Sequence, residues 1–219
     1  MATIYVPSDA PGYVPIDAGR DVGRDPSVGP RDWCAALPEL TIPGAVLREP
    51  RVEDAASLCA LLTAHEVRRY LAPPPMTVEE FERFIQWTHG KRAAGEYACF
   101  AIVPDGLDMA VGLVQIQFLP DRAPAEWGFV LGSPFWGRGL FQAAAEAVLD
   151  FAFEEMGIEQ LGARLATVNG RGNAALRKLG AVREALLPAT DGRPFDEYYW
   201  TLSPEDRKGR ARRQTSTRH

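Results

Sequence analysis

Residues 126–142 read Glu-Trp-Gly-Phe-Val-Leu-Gly-Ser-Pro-Phe-Trp-Gly-Arg-Gly-Leu-Phe-Gln, and the fold of the chain turns on them. Glu126 to Leu131 is apolar and aromatic, a composition that fits a strand. Gly132, Ser133 and Pro134 break that strand, and Gly137 and Gly139 on either side of Arg138 let the backbone approach a ligand closely. From Leu140 the period becomes helical: Leu140, Ala144, Ala147, Val148, Phe151 and Met156 share one face, with Gln142, Glu146, Asp150 and Glu154 on the other. The segment reads as strand, glycine turn and amphipathic helix. Such a junction aims backbone N–H groups and the positive end of a helix dipole at one point beside a guanidinium, which suits a phosphate group. The bland alternative is a tight turn with no ligand. Two common phosphate loops are excluded. No Gly-Lys-Ser/Thr ends the turn, and Gly137 to Gln142 lacks the third glycine of a dinucleotide fingerprint.

With 219 residues, 46% of them hydrophobic, the chain can bury a full core and is read as one domain with extensions. No apolar run is long enough to cross a membrane, and the start Met-Ala-Thr-Ile-Tyr-Val-Pro-Ser carries neither a basic leader nor an apolar signal core. A cytoplasmic location is expected. Cys34, Cys59 and Cys99 are scattered and lack metal-ligand spacing, and His65, His89 and His219 form no cluster, so reduced thiols and no metal are expected. The net charge of −5 divides unevenly: residues 204–219 carry +4 and residues 1–203 carry −9. An acidic body suits a cationic acceptor such as an amine better than nucleic acid. The basic tail Arg207-Lys-Gly-Arg-Ala-Arg-Arg is read as solvated and disordered, with contact to RNA or a ribosome as its other meaning.

Residues 1–43 form a Pro- and Gly-rich extension with no helical or strand period. Its isolated apolar residues, among them Ile4, Tyr5, Val6 and Trp33, suggest that parts lie on the domain surface or on a partner subunit, which leaves a homodimer open. A domain is expected over 44–203, and the tail from 204. Ala45-Val-Leu-Arg-Glu begins it as a strand, followed by a helix from Asp54. A short helical segment spans Glu66 to Tyr70, and a third helix is opened by Thr77 and Glu80 at capping-box spacing. Strands are expected at Tyr97 to Val103, Ala110 to Phe118, the segment holding Glu126, about 160–168, Ala181 to Leu187 and about 195–202, the last two joined through Asp191-Gly192. A helix spans Asn169 to Leu179 with Gly180 as its stop. Together these describe an α/β fold with a mixed sheet.

The run Glu126-Trp-Gly-Phe-Val-Leu with Pro134-Phe-Trp-Gly-Arg-Gly-Leu resembles the GNAT superfamily of acetyl-CoA-dependent N-acetyltransferases. The branch it is most similar to acetylates the N-termini of ribosomal proteins. Asn169-Gly-Arg-Gly-Asn-Ala-Ala-Leu-Arg-Lys-Leu-Gly180 resembles that family's second signature, an Asn ahead of a helix that ends in Lys-Leu-Gly. The resemblance spans about residues 44–203. It implies a mostly antiparallel sheet of about seven strands with splayed central strands, flanked by helices.

It also implies roles. The pantetheine arm of acetyl-CoA would lie along Phe129, Val130 and Leu131, which by themselves read equally as plain core strand. The pyrophosphate would sit on Gly137, Arg138, Gly139, Leu140, Phe141 and Gln142, and Asn169 matches the Asn that bonds the pantetheine arm. Arg68, Arg69 and Tyr70 border the acceptor side, where a charged helix face is the other reading. Tyr198 or Tyr199 would line the acceptor site; alternation lets only one face it, and Tyr198 is the candidate taken. The chain also departs from the pattern. Trp136 replaces an opening Gln or Arg, Phe141 a closing Gly or Ala, and Gly172 a Ser, in whose place the neighbouring Asn173 is the candidate to offer a hydrogen bond. Leu176 and Arg164 stand where one branch has its Tyr acid and Glu base. Glu126, a carboxylate at the start of the splayed strand, remains as the candidate base, against its alternatives of edge charge, salt-bridge partner or substrate positioning. The reading is direct acetyl transfer to an amine acceptor, either a protein N-terminus or a small molecule. The alternative is a catalytically inactive acyl-CoA-binding module.

Overall fold

A computed structural model describes residues 33–70, 75–119, 122–190 and 194–208. Residues 1–32, most of the basic tail and the expected Asp191-Gly192 turn lie outside the described residues.

An eight-stranded sheet forms the centre, in the spatial order β1-β2-β3-β4-β5-β6-β8-β7. Its strands are β1 (Leu40–Ile42), β2 (Ala45–Arg48), β3 (Tyr97–Pro104), β4 (Gly112–Leu119), β5 (Arg122–Leu131), β6 (Leu161–Ala166), β7 (Val182–Leu187) and β8 (Glu197–Leu202). All neighbours are antiparallel except β5 and β6. A parallel pair needs a crossover, and helix α4 (Leu140–Glu154) supplies it. On the same face lies α5 (Gly170–Leu179), whose Leu176 and Leu179 pack with Trp127, Phe129, Ala144 and Val148. The other face carries α1 (Ala55–Leu62), α2 (His65–Arg68) and α3 (Val78–Ala93), which pack against Tyr97, Leu113 and Val130. The capping box of α3 forms as read: Thr77 accepts from the Glu80 N–H, and Glu80 accepts from the Thr77 N–H.

The sheet has one strand more than expected. β1 lies at the end of the extension in which no strand period was read, and it pairs with β2 from Leu40↔Leu47 to Ile42↔Ala45. Three residues are too few to show a period. Trp33 is buried and stacks on Phe118, and Arg92 binds both the Cys34 carbonyl and Glu49. The extension is therefore packed into the domain from Trp33 onward. At the other end, Ser203 and Asp206 exchange hydrogen bonds and Arg207 pairs with Asp150 of α4.

One buried ion pair ties the helical face to the sheet. Arg48 of β2 donates two hydrogen bonds to Asp54, at 2.7 and 2.9 Å. Asp54 also accepts from the backbone N–H groups of Arg51 and Ala110. Burial pushes the Asp54 carboxyl up, but the Arg48 hydrogen bond, the two N–H groups and the Arg48 charge outweigh it and hold it below its ordinary value. A lowered folded-state value stabilises the fold above the unfolded carboxyl's pKa and loses that contribution as the pH falls through the folded value. Removing one partner of a buried pair strands the other. Urea melts at pH 7 should therefore find Asp54→Ala less stable by about 3 kcal/mol. Below about pH 4 the gap between the two proteins should narrow.

Candidate active site

Among the described residues, β5 and β6 are paired in register at two positions, Ala125↔Leu161 and Glu126↔Gly162. Beyond Glu126, β5 continues to Leu131 in register with β4, ending at Gly112↔Leu131, so a gap opens on its β6 side. The Gly132 N–H bonds the Val111 carbonyl, which fixes the alternation. The backbone groups of Gly128 and Val130 turn to β4, and those of Trp127, Phe129 and Leu131 turn into the gap. Val130 also buries its side chain among the helices of the opposite face. Of the three expected cofactor residues on β5, Phe129 and Leu131 address the gap and Val130 does not.

The glycine turn lies at the wide end of this gap. Gly137 and Gly139 have φ of +77° and +78°, a region that strains other residues. A β-carbon at either would meet nothing within 4 Å, so the path of the chain, not crowding, selects glycine. Gly139 is the residue from which α4 starts, and the first helical bond runs from the Ala143 N–H to its carbonyl. The N–H groups of Leu140, Phe141 and Gln142 precede that ladder and point out of the helix end. No acidic residue lies in the first turn to neutralise it.

Beside the turn is a cavity of about 260 Å³, walled by Phe129, Leu131, Trp136, Phe141, Arg171 and Lys178. Gly137, Gly139, Leu140 and Gln142 border it as well. Phe141 packs against Phe129 with ring centroids 4.2 Å apart and planes tilted by 37°, so the bulky residue at 141 lies on the strand and lines the cavity. Trp136 donates its indole N–H to the Leu131 carbonyl at 2.7 Å, and the Arg171 guanidinium lies 4.6 Å from its ring centroid. Arg138 stays outside the cavity wall, over the Phe135 ring. Asn169 is buried and uses its side-chain oxygen to cap α5 at the Gly172 N–H. Arg171 and Lys178 were missed by sequence reasoning. They stand seven residues apart on α5, two turns and one face, which was the available signal.

The opposite face of the gap is polar. Glu126 lies 3.4 Å from Arg164 of β6, with side chains 17% and 27% exposed respectively. Tyr199 of β8 sits over Gly162, and its phenol is pushed up by burial and by the Glu126 charge, against the Arg164 charge. Alternation thus puts Tyr199, and not the chosen Tyr198, next to Glu126. Tyr198 lies on the other face against Trp200 and Arg183. Arg69 lies over Tyr70, and Tyr70 meets Phe195 edge-on, so the end of α2 reaches the start of β8 across the wide end of the gap. Asn173 does not offer the hydrogen bond expected of it in place of the missing Ser: its amide donates to the Ala166 and Asn169 carbonyls and its oxygen accepts from Trp200. Cys99 is fully buried, and burial pushes its thiol up, which rules it out as a nucleophile.

A sheet parted at one parallel pair leaves an anion-suited helix end on one side of the gap and a carboxylate on the other, an arrangement that suits a phosphate-bearing ligand beside a second, polar one. Comparison with known proteins agrees. The family described as "Acetyltransferase (GNAT) domain" matches residues 45–182. The chain belongs to this GNAT family and is an acetyl-CoA-dependent acetyltransferase. It is 26% identical over 168 residues to "Uncharacterized N-acetyltransferase p20" of Bacillus licheniformis, covering 74% of this chain and 94% of that protein. In structure it is similar to Mycobacterium smegmatis RimJ in complex with CoA-disulfide, with TM-score 0.66, 24% identity and 77% and 87% of the two chains covered. It is likewise similar to the ribosomal L7/L12 alpha-N-protein acetyltransferase RimL, with TM-score 0.66, 16% identity and 76% and 94% covered.

The turn can be tested directly. There is open space for a side chain at Gly139, and its φ of +78° costs any other residue about 1–2 kcal/mol, so Gly139→Glu should melt earlier than the wild type while placing its carboxylate at the helix end, where it opposes another anion. Calorimetric titration should show acetyl-CoA affinity reduced tenfold or more, roughly the effect of one such charge, in a protein whose melting transition is retained.

Proposed function

We propose that the chain moves the acetyl group of acetyl-CoA to a primary amine by direct transfer, with the coenzyme and the amine entering the β5–β6 gap from opposite faces. The carrying observation is the parting of β5 from β6 immediately after Glu126↔Gly162. Bound acetyl-CoA supplies an activated acetyl thioester. The turn from Gly137 to Gln142, with Arg138, Arg171 and Lys178 around it, supplies N–H donors and positive charge for the pyrophosphate. The Phe129 and Leu131 backbone groups that face the gap suit the pantetheine arm and a polarised carbonyl oxygen. Asn169 holds the start of α5 beside them.

On the other face Glu126 receives the proton that the amine must lose. Arg164 contributes by charge. A guanidinium 3.4 Å from the carboxylate opposes a second cation at the same place, and so favours the uncharged, nucleophilic amine. Tyr70 with Phe195 walls the acceptor side, with Arg69 beside it. RimL, described as an alpha-N-protein acetyltransferase, supports a protein N-terminus as the acceptor.

Glu126→Gln removes the proton acceptor and leaves the glycine turn intact. At pH 7 kcat should fall about 100-fold or more, the lower end of general-base effects, while the acetyl-CoA dissociation constant stays unchanged. An unchanged rate would remove Glu126 from the mechanism. A wild-type protein that binds acetyl-CoA but acetylates neither N-terminal peptides nor small amines would favour the inactive binding module.

A further inference from the structure

Acetyl transfer at this gap still needs a proton donor for the sulfur, because expelling the coenzyme leaves a thiolate. Leu176, which stands where one branch has its Tyr acid, is apolar and fully buried in the core. Asn173 spends its amide on two carbonyls, and a guanidinium such as that of Arg164 does not deprotonate in a protein. Tyr199 is better placed. Its hydroxyl fills the space that a side chain at Gly162 would take: a β-carbon there would lie 2.4 Å from the oxygen. Gly162 faces Glu126 in the last registered pair before β5 and β6 part. Neighbouring strands lie about 4.8 Å apart, so the hydroxyl sits at the closed end of the gap, within reach of the carboxylate. Arg164 is close to both, 3.4 Å from Glu126 and 5.9 Å from the centroid of the Tyr199 ring. All three residues are half-buried, which leaves them open to a substrate. The coenzyme approaches the same point from the wide end. From the glycine turn its arm runs back past Leu131 and then Phe129, so the thioester arrives at the closed end.

We propose that Tyr199 is a catalytic residue that passes the proton taken up by Glu126 on to the departing sulfur. The steps balance within the site. The amine nitrogen forms its bond to the carbonyl carbon and gives one proton to the Glu126 carboxylate. The carbon–sulfur bond breaks with its electron pair on sulfur, and the Tyr199 hydroxyl proton goes to that sulfur. The Glu126 carboxyl proton then replaces it on the phenol oxygen, so amide and free thiol leave and the protein is back as it began. Both residues are needed. A phenol of pKa about 10 is too weak an acid to protonate a thiolate of pKa about 8.5 unaided, whereas a carboxyl of pKa about 4.3 behind it makes the net transfer downhill. The charged groups that act on the phenol are Glu126 of β5, Arg164 of β6 and Glu184 of β7; burial and the Glu126 charge push it up, against Arg164. It therefore keeps its proton until Glu126 can supply the next. The inference rests on the acetyl-transfer reading.

The test compares acetyl-CoA with its selenoester analogue, acetyl-seleno-CoA, using the full chain and N-terminal peptides and small amines as acceptors. A selenol is a stronger acid than a thiol of the same shape, so the selenolate departs without a proton. With acetyl-CoA, Tyr199→Phe should lower kcat about 100-fold, the lower end for a positioned proton donor, with acetyl-CoA binding unchanged by calorimetry. With the selenoester the loss should shrink to less than about tenfold, which a merely structural role would not produce. Gly162→Ala leaves Tyr199 present but displaces its hydroxyl, and should show the same donor-dependent loss; it decides the question if Tyr199→Phe melts early. An unchanged kcat, a loss of equal size with both donors, or a rise in amine KM alone overturns the relay. A wild type that transfers from neither donor to any acceptor overturns the acetyl-transfer reading itself, and the relay with it.

Discussion

Everything at the site depends on where β5 stops pairing with β6. In a continuous sheet the odd-numbered backbone groups of Trp127, Phe129 and Leu131 would be spent on a neighbour. Here the pairing ends at Glu126↔Gly162, and these groups are presented to a gap. Such an opening is stable only if the strand is held from its other side. β4 does this through an unbroken register from Gln117↔Glu126 to Gly112↔Leu131. The contact is close enough that a β-carbon at Gly112 would lie 2.5 Å from the Val130 carbonyl oxygen, so glycine there is a condition of keeping β5 in place.

The two faces of the gap differ in charge and in construction. The coenzyme face is built from a local unit, turn plus helix, completed by cations from α5. The polar face is built from single residues on three different strands, Glu126, Arg164 and Tyr199. A phosphate needs many donors in one place, and a helix end provides them from consecutive residues. An amine needs a few acceptors converging on a point, which consecutive residues on a strand cannot offer because they alternate faces.

That difference explains what the sequence disclosed. The glycine turn, α4 and the helix ending at Gly180 are local patterns, and each lies where it was read. The α/β fold with splayed strands was likewise legible through two signatures in order. Arg171 and Lys178 were visible as a helical face but had no known neighbour. Tyr199 could be read only as one of two alternatives, because its place beside Glu126 is set by strand register between distant segments. The Tyr198 and Tyr199 pair shows the limit well. Alternation established that one faces the site, and only the pairing of Arg164 with Tyr199 established which. β1 was hidden by its length, and Asn173 was misjudged because its oxygen bonds Trp200, 27 residues away.

Trp136 departs from the family pattern at the head of the turn, where the resemblance implies a Gln or Arg. The structure gives it two duties that an aromatic side chain suits. Its indole N–H caps the carbonyl of Leu131, the last residue of β5, which would otherwise face the gap unpaired. Its ring carries the guanidinium of Arg171 at 4.6 Å, a cation–π contact that holds a flexible side chain over the cavity. Positive charge lost from position 136 is thereby restored from α5. The site keeps its suitability for an anion while the residue at the head of the turn has changed from a ligand to a platform. Binding through Arg171 then depends on the packing of α5 against the turn, which Asn173 secures through Trp200 and the carbonyls that end β6.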